Sequence, residues 1–466
     1  MEELNMNKEE WYHKRNDRSN RIEGVLLGPS AKRIGIKIGN ESKYSVQVLS
    51  LVLLNIMSRW CRRITVELID VDCVLKSRGG IRLKELLTET MKGADPYGDF
   101  LFDKVEHESC DIIIDVGGGD FDGHDKFWVD SNEWIAGIGY GVKSNSITKD
   151  STQLHGAAYA AAMINSIVFE VYLGLAKKES FQYWMTLFDF DSSRNPSDLK
   201  NPVILNSMNF GNIWQVGAGA VGSNFDYLLS VAECSCNVHI IDYDCVEVSN
   251  TSSSLVFNAE DVLGNQKLKK VDLCERVLEN HEGIRGIAFD GDYNDFIKFR
   301  ESKETEIEYP DVLLCFANER NIWSTIQNNE PPITLAATTS NNWTVNFFRH
   351  MPFIERCIAC SFKSKKIEGK LICSSGLNID EGVEEKLGSL PFLSFAAAVL
   401  IYVELIKLSH FRDSLGGNFG QFPFRNLIKS NIIPMQLDKG DGCNICRDQT
   451  RENYTDEYSL SKYYVK

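Results

Sequence analysis

Asn212-Ile213-Trp214-Gln215-Val216-Gly217-Ala218-Gly219-Ala220-Val221-Gly222 opens the second half of this 466-residue chain and decides its fold class. A run of strand formers enters a turn with glycines at positions 217, 219 and 222, and a helical pattern follows from about Ser223. Glycines in that setting permit a tight turn and close approach to the backbone, and the free N–H groups of the following helix receive phosphate. The next apolar run, Asn237-Val238-His239-Ile240-Ile241-Asp242, ends in a carboxylate 20 residues after Gly222. There a carboxylate accepts hydrogen bonds from ribose hydroxyls, an arrangement that suits NAD and ATP equally.

Working outward, the first half repeats this series. Arg33-Ile34-Gly35-Ile36-Lys37-Ile38-Gly39 reads as a strand, 45–60 as a helix and Ile64-Thr65-Val66-Glu67-Leu68-Ile69-Asp70 as a second strand. Val66 to Asp72 aligns with Val238 to Asp244, Asp111-Ile112-Ile113-Ile114 matches Asp311-Val312-Leu313-Leu314, and an Ala-rich apolar helix closes each series at 157–175 and 394–408. Apolar runs alternating with helical patterns indicate α/β sheets, here two in tandem. The expected division is a first domain at 1–190, a linker at 191–202 containing Ser192-Ser193-Arg194-Asn195-Pro196-Ser197-Asp198, and a second domain at 203–466. The first copy has Gly39-Asn40-Glu41-Ser42 where the second has its glycine loop, and those bulkier side chains obstruct a phosphate. It is expected to be a degenerate scaffold.

Composition narrows the function. Hydrophobic residues make up 43% and charged residues 25%, a globular balance, while 50 Lys plus Arg against 65 Asp plus Glu leaves a net charge of −15. So acidic a surface repels phosphate backbones, which argues against a nucleic-acid partner or an anionic-membrane platform. No run approaches the roughly 18–20 apolar residues of a bilayer span, and 387–403, interrupted by Gly388, Ser389, Pro391 and Ser394, reads as a loop entering a buried helix. The 13 Cys are an odd number scattered through a large chain, the pattern of reduced thiols in a cytoplasmic protein.

Beyond Asp242 the sequence reads Tyr243-Asp244-Cys245-Val246-Glu247-Val248-Ser249-Asn250, then Leu255-Val256-Phe257 and Gly264-Asn265-Gln266-Lys267. This run resembles the ThiF/MoeB/ubiquitin-activating superfamily, and the resemblance extends over about 203–446. It implies a Rossmann-like, doubly wound sheet on which ATP and Mg²⁺ bind, and a protein's C-terminal carboxylate that attacks the α-phosphate to give an acyl-adenylate and pyrophosphate. By the resemblance, Gly217, Gly219 and Gly222 shape the pocket, Asp242, Asp244 and Asn250 line it, and Lys267 neutralises phosphate. Two departures stand out. Ser253 occupies a position where the family has an arginine, and Leu314-Cys315-Phe316-Ala317-Asn318-Glu319-Arg320 lacks the family's Mg²⁺-binding aspartate. Glu319 is the candidate to bind Mg²⁺ instead, with Arg320 as a replacement cation and Asn318 as a further cofactor-binding residue. Arg15-Asn16-Asp17-Arg18 resembles the arginine pattern that a partner adenylation unit supplies; in this fused chain Arg18 is the choice, with Arg15 and Arg21 as rivals. The two halves would then form an internal pseudo-dimer.

Cys357-Ile358-Ala359-Cys360 and Cys443-Asn444-Ile445-Cys446 make two Cys-x-x-Cys knuckles, which together offer four thiolates to a structural, tetrahedral Zn²⁺. Cys373 lies in the polar, glycine-containing crossover segment 361–390. In relatives a loop at this place holds the thiol that captures the acyl group as a thioester, and Lys363, Lys365, Lys366 and Lys370 would favour its thiolate. The expected function is therefore activation of a ubiquitin-like protein for transfer to a conjugating enzyme. The fused, zinc-knuckled form most resembles the activating enzymes of bacterial ubiquitin-like operons (BilD-like), which implies antiphage defence. A sulfur-carrier adenylyltransferase, an NAD-dependent oxidoreductase and an inactive binding scaffold are the alternatives.

Overall fold

Runs such as Ile112-Ile113-Ile114 and Val312-Leu313-Leu314, apolar at every position rather than at alternate ones, suit strands covered on both faces. In the computed structural model each sits at the centre of its own mixed sheet. The structure describes residues 6–28, 32–118, 120–122, 124–264, 266–302, 307–317, 322–329, 331–352, 354–361, 388–430, 432, 434–438 and 463. The first sheet has the order Asp99–Phe102, Arg63–Glu67, Ile34–Ile38, Ile112–Val116, Phe127–Asn132, Ile135–Tyr140, Phe181–Thr186, Ser192–Ser193. The second has the order Ile284–Asp290, Cys234–Asp242, Met208–Val216, Val312–Cys315, Thr334–Thr339, Thr344–His350, Phe419–Pro423.

Over seven strands the two agree, five parallel and then two antiparallel, and the first sheet has one strand more. In both, the long helix (His155–Tyr172 or Pro391–His410) follows the sixth strand in this order and returns the chain to the seventh. The repeat read from the sequence is thus a repeat of topology as well. The antiparallel strands beside the parallel core escaped that reading, because Phe127–Asn132 and Ile135–Tyr140 are buried on both faces and their sequences show no apolar–polar alternation. Ser192–Ser193, inside the expected linker, pairs with Phe181–Thr186 and extends the first sheet.

Four apolar helices lie at the seam: Tyr44–Ser58 and His155–Tyr172 from the first half, Ala220–Ser230 and Pro391–His410 from the second. Leu390 is extended, as a residue before proline prefers, and Pro391 starts the last of these without sacrificing a helical hydrogen bond. That 20-residue helix is long and apolar enough to cross a membrane, where the sequence reading expected no such segment; it is a core helix, buried along 94% of its apolar window. Phe169 meets Phe392 and Trp343 at ring separations of 5.5 and 5.6 Å, and Tyr159 meets Phe424 at 5.9 Å, so one continuous core joins the halves. Burial of aromatic surface on this scale dominates packing energetics.

Candidate functional site

The glycine loop follows Met208–Val216, and the helix Ala220–Ser230 starts directly after it with Gly219 as N-cap. Gly217 has φ +101°, a conformation that side chains rarely adopt, and a Cβ there would stand 2.7 Å from the Ala317 amide nitrogen. A Cβ on Gly222 would stand 2.0 Å from the Gly217 carbonyl oxygen. These two glycines are required by the protein's own packing. Gly219 differs, since a Cβ there meets nothing within 4 Å. That open space lies at the helix N-terminus, where unpaired N–H groups attract an anion.

Asp242 ends its strand beside this loop, and its carboxylate accepts from the Ala218 amide at 2.7 Å and from the Asp244 amide at 2.8 Å. Burial raises its pKa, opposed by the nearby Lys270 ammonium. Lys270, not Lys267, is the lysine that pairs with Asp244, and Lys269 reaches Asp290 at 2.8 Å and the Tyr243 carbonyl at 2.8 Å. Lys267 is exposed, with no hydrogen bond or ion pair among the described residues. Lys267 and Lys269 precede the helix Lys270–Leu278, which Lys270 opens, and the sequence holds no signal for which of the three faces inward. Asn250 is buried and committed to a capping box: its side chain accepts from the Glu247 amide at 2.8 Å.

Arg18 arrives from the first half. The helix Lys8–Arg15 packs against the 3₁₀ turn Val248–Ser252, which places Arg18 within electrostatic reach of Glu247 and Asp244. Burial lowers its pKa and those carboxylates oppose the shift. Its Nε is buried with no hydrogen-bond partner among the described residues. Both rivals have carboxylate partners, Arg15 with Asp95 at 3.0 Å and Arg21 with Asp17 at 3.1 Å, although Arg15 Nη1 and Nη2 are likewise buried with no hydrogen bond among the described residues. The Ser389 amide donates to the Arg18 carbonyl at 3.2 Å and Ser19 Oγ to the Ser389 carbonyl at 3.3 Å. The crossover segment therefore ends against Arg18. Cys373 itself, with Asn318, Glu319 and Arg320, lies outside the described residues. The chain enters 318–320 from Ala317, which touches Gly217.

The matching place in the first half is closed. The Tyr44 amide, at the start of its helix, donates to Asp150 Oδ1 at 3.1 Å, and Ser45 Oγ donates to the Lys149 carbonyl at 2.9 Å. Asp70 and Asp72, the counterparts of Asp242 and Asp244, are held by Arg82 at 3.2 and 2.9 Å. The sequence reading attributed obstruction to the loop side chains. The structure adds an internal carboxylate, from 106 residues downstream of Tyr44, seated on the helix terminus.

Cys357 and Cys360 are buried, and the Cys360 amide donates to Cys357 Sγ at 3.3 Å. Cys443 and Cys446 lie outside the described residues, and no group of three or more metal-ligating side chains occurs among the described ones. The chain segments leading to the two knuckles run side by side: Glu355 bridges Asp438, and the Arg356 amide donates to the Leu437 carbonyl at 3.1 Å.

No family model matches the sequence, and no curated protein matches it significantly. Among solved structures, the chain is similar to E. coli MccB with succinimide at 16% identity and TM-score 0.39, over 50% of this chain and 66% of that one. It is similar to the microcin C7 biosynthetic enzyme MccB in complex with N-formylated MccA at 16% identity and TM-score 0.37, over 50% and 67%. For PaaA the values are 14% and 0.34, over 49% and 65%. The similarity thus spans about two thirds of each of those chains.

Proposed function

We propose that the second half adenylates a carboxylate, with ATP as co-substrate. The observation that carries this reading is Arg18, a cation from the other half whose buried Nε, beside Asp244 and Glu247, has no hydrogen-bond partner among the described residues. Leaving such a donor unsatisfied is costly, and a phosphate oxygen is the acceptor that suits it. The open helix terminus at Gly219 would receive phosphate and Asp242 the ribose. Arg18 would stabilise charge on the transferred group, joined by Lys270 if ATP draws it from Asp244, and Mg²⁺ would be held through 318–319. A substrate carboxylate oxygen attacks the α-phosphorus, the bond to the bridging oxygen breaks, and pyrophosphate leaves with its electron pair. No proton needs removal, since a carboxylate is already ionised at neutral pH. Catalysis then rests on positioning and on charge stabilisation.

The finer reading is that the carboxylate is the C-terminus of a ubiquitin-like protein and that Cys373 captures it. The Cys373 thiolate attacks the acyl carbon, expels AMP and forms a thioester for a conjugating enzyme. The return of the crossover segment onto Arg18 at Ser389 supports this, because it brings that segment's end to the nucleotide. A Cys₄ zinc site is proposed likewise: Cys357 and Cys360 are buried beside the strand bridge that carries the chain toward Cys443. The test is ATP–pyrophosphate exchange with candidate ubiquitin-like proteins and with short peptides as carboxylate donors. Exchange that depends on the donor's free C-terminus is expected, with a thiol-reducible adduct absent in Cys373→Ala. Absence of exchange with every donor, or copurified nicotinamide dinucleotide, overturns the reading.

A further inference from the structure

Arg59 caps the C-terminus of the helix Tyr44–Ser58 and is 1% exposed. The other three buried arginines among the described residues have carboxylates, Arg15 with Asp95, Arg33 with Asp99 and Arg349 with Glu355 and Glu404. Arg59 has none in salt-bridge range among the described residues. A guanidinium withdrawn from water with no counter-charge is tolerated only where its donors are fully used. Nε and Nη2 donate to Asn55 Oδ1, one helical turn back, at 3.1 and 2.8 Å, and this fixes the plane of the group. Nη1 crosses the seam and donates to the carbonyls of Thr251 at 2.5 Å and Phe257 at 2.9 Å. Asn55 Nδ2 makes a third crossing, to the Leu255 carbonyl at 3.3 Å. Burial pushes the Arg59 pKa down to about 9, so the group remains charged at neutral pH.

The carbonyls it holds belong to a strap, 251–257, that starts in the turn carrying Asn250 and ends past Ser253 and Ser254. The strap's other side is tied to the helix that follows the glycine loop. Ser254 Oγ meets Ser223 Oγ at 2.7 Å, Asn224 Nδ2 donates to the Ser253 carbonyl at 2.9 Å, and the Leu255 amide donates to Asn224 Oδ1 at 2.7 Å. The strap contains no Lys or Arg of its own. We propose that Arg59 is a positioning residue for the nucleotide: from the degenerate half it pins the strap against the first turns of Ala220–Ser230 and so fixes the helix terminus that faces the phosphates. The proposal rests on the ATP reading and adds a second arginine, besides Arg18, through which the first half serves the second.

The test uses the full chain with Arg59→Lys, which keeps the charge but cannot serve Asn55 and both carbonyls together. In ATP–pyrophosphate exchange the KM for ATP is expected to rise at least ten-fold while kcat stays within three-fold. A folded variant with wild-type KM, however far its Tm has dropped, overturns the proposal, because mere mortar at the seam lowers Tm without touching KM. Should Arg59→Lys not fold, Asn55→Ala removes the brace and one crossing bond; a KM rise of at least three-fold is expected, and an unchanged KM overturns it. Wild-type protein that shows no ATP binding in a parallel titration refutes the nucleotide reading itself, a result distinct from variants that bind ATP normally.

Discussion

Gly219 and Gly222 belong to the same loop, and the structure gives their alanine variants opposite consequences. At Gly222 the added carbon would sit 2.0 Å from the Gly217 carbonyl oxygen and 3.2 Å from Gln215 Nε2. Contact distance for such atoms is more than an ångström longer, so backbone must move. Gly217 cannot retreat easily, since its φ is +101° and Ala317 lies against it. Overpacking that displaces backbone costs about 3 kcal/mol. At about 1–2 °C per kcal/mol for a chain this long, Tm should fall by about 3–6 °C. Gly219 has φ −72°, open to any residue, and free space around its Cβ position, so Gly219→Ala should leave Tm within about 1 °C of wild type. The methyl group instead enters the space assigned to phosphate, and kcat/KM for ATP should fall at least ten-fold, about 1.4 kcal/mol of transition-state binding. Differential scanning fluorimetry and pyrophosphate exchange on both variants decide the matter. A well-folded Gly219→Ala protein with undiminished kcat/KM would show that phosphate does not bind at this helix terminus.

Arg18→Ala should depress exchange by more than ten-fold with little loss of Tm, because no bond among the described residues ends on its Nε. Arg15→Ala should instead strand the buried Asp95 and cost about 3–5 kcal/mol in denaturant unfolding; the reverse pattern refutes the choice between them. Burial raises the Asp226 carboxyl from 3.8 to about 7, so the folded protein holds a proton that the unfolded chain releases. Its contribution to stability is therefore greatest below about pH 4, is lost as pH rises to about 7, and changes little above that. Asp226→Asn should flatten this part of the Tm–pH curve and raise Tm at pH 8, and an unaltered slope would exonerate Asp226. Chelation, or Cys357→Ser, should release about one zinc per chain by metal analysis and lower Tm; metal-free protein as purified under zinc-replete conditions contradicts the knuckle.

What was legible in the sequence was local. The glycine loop, Asp242 and the alternation of strands and helices follow from spacing, so the repeat could be read before any coordinates. Register was not legible: Lys267, Lys269 and Lys270 stand equally well at the start of a helix, and only the fold turns Lys270 onto Asp244. Contacts between distant segments were invisible for the same reason. Nothing near Tyr44 announces that Asp150 will cap it, and nothing in 251–257 points to Arg59. The sequence offered Arg18 first with Arg15 and Arg21 as rivals, but it held no sign of the carboxylates, Asp95 and Asp17, on which the two rivals fold.

The core that runs unbroken from one half into the other changes what mutation is allowed to do. In an assembly of two identical chains every lesion appears twice, so a pocket cannot decay without disabling its twin. Here the copies are separate stretches of one chain, so the first can seat Asp150 on its helix terminus while keeping the surfaces that the second leans on. Dilution cannot part the two halves either, so under the proposed reading specific activity should be independent of protein concentration and one nucleotide should bind per chain.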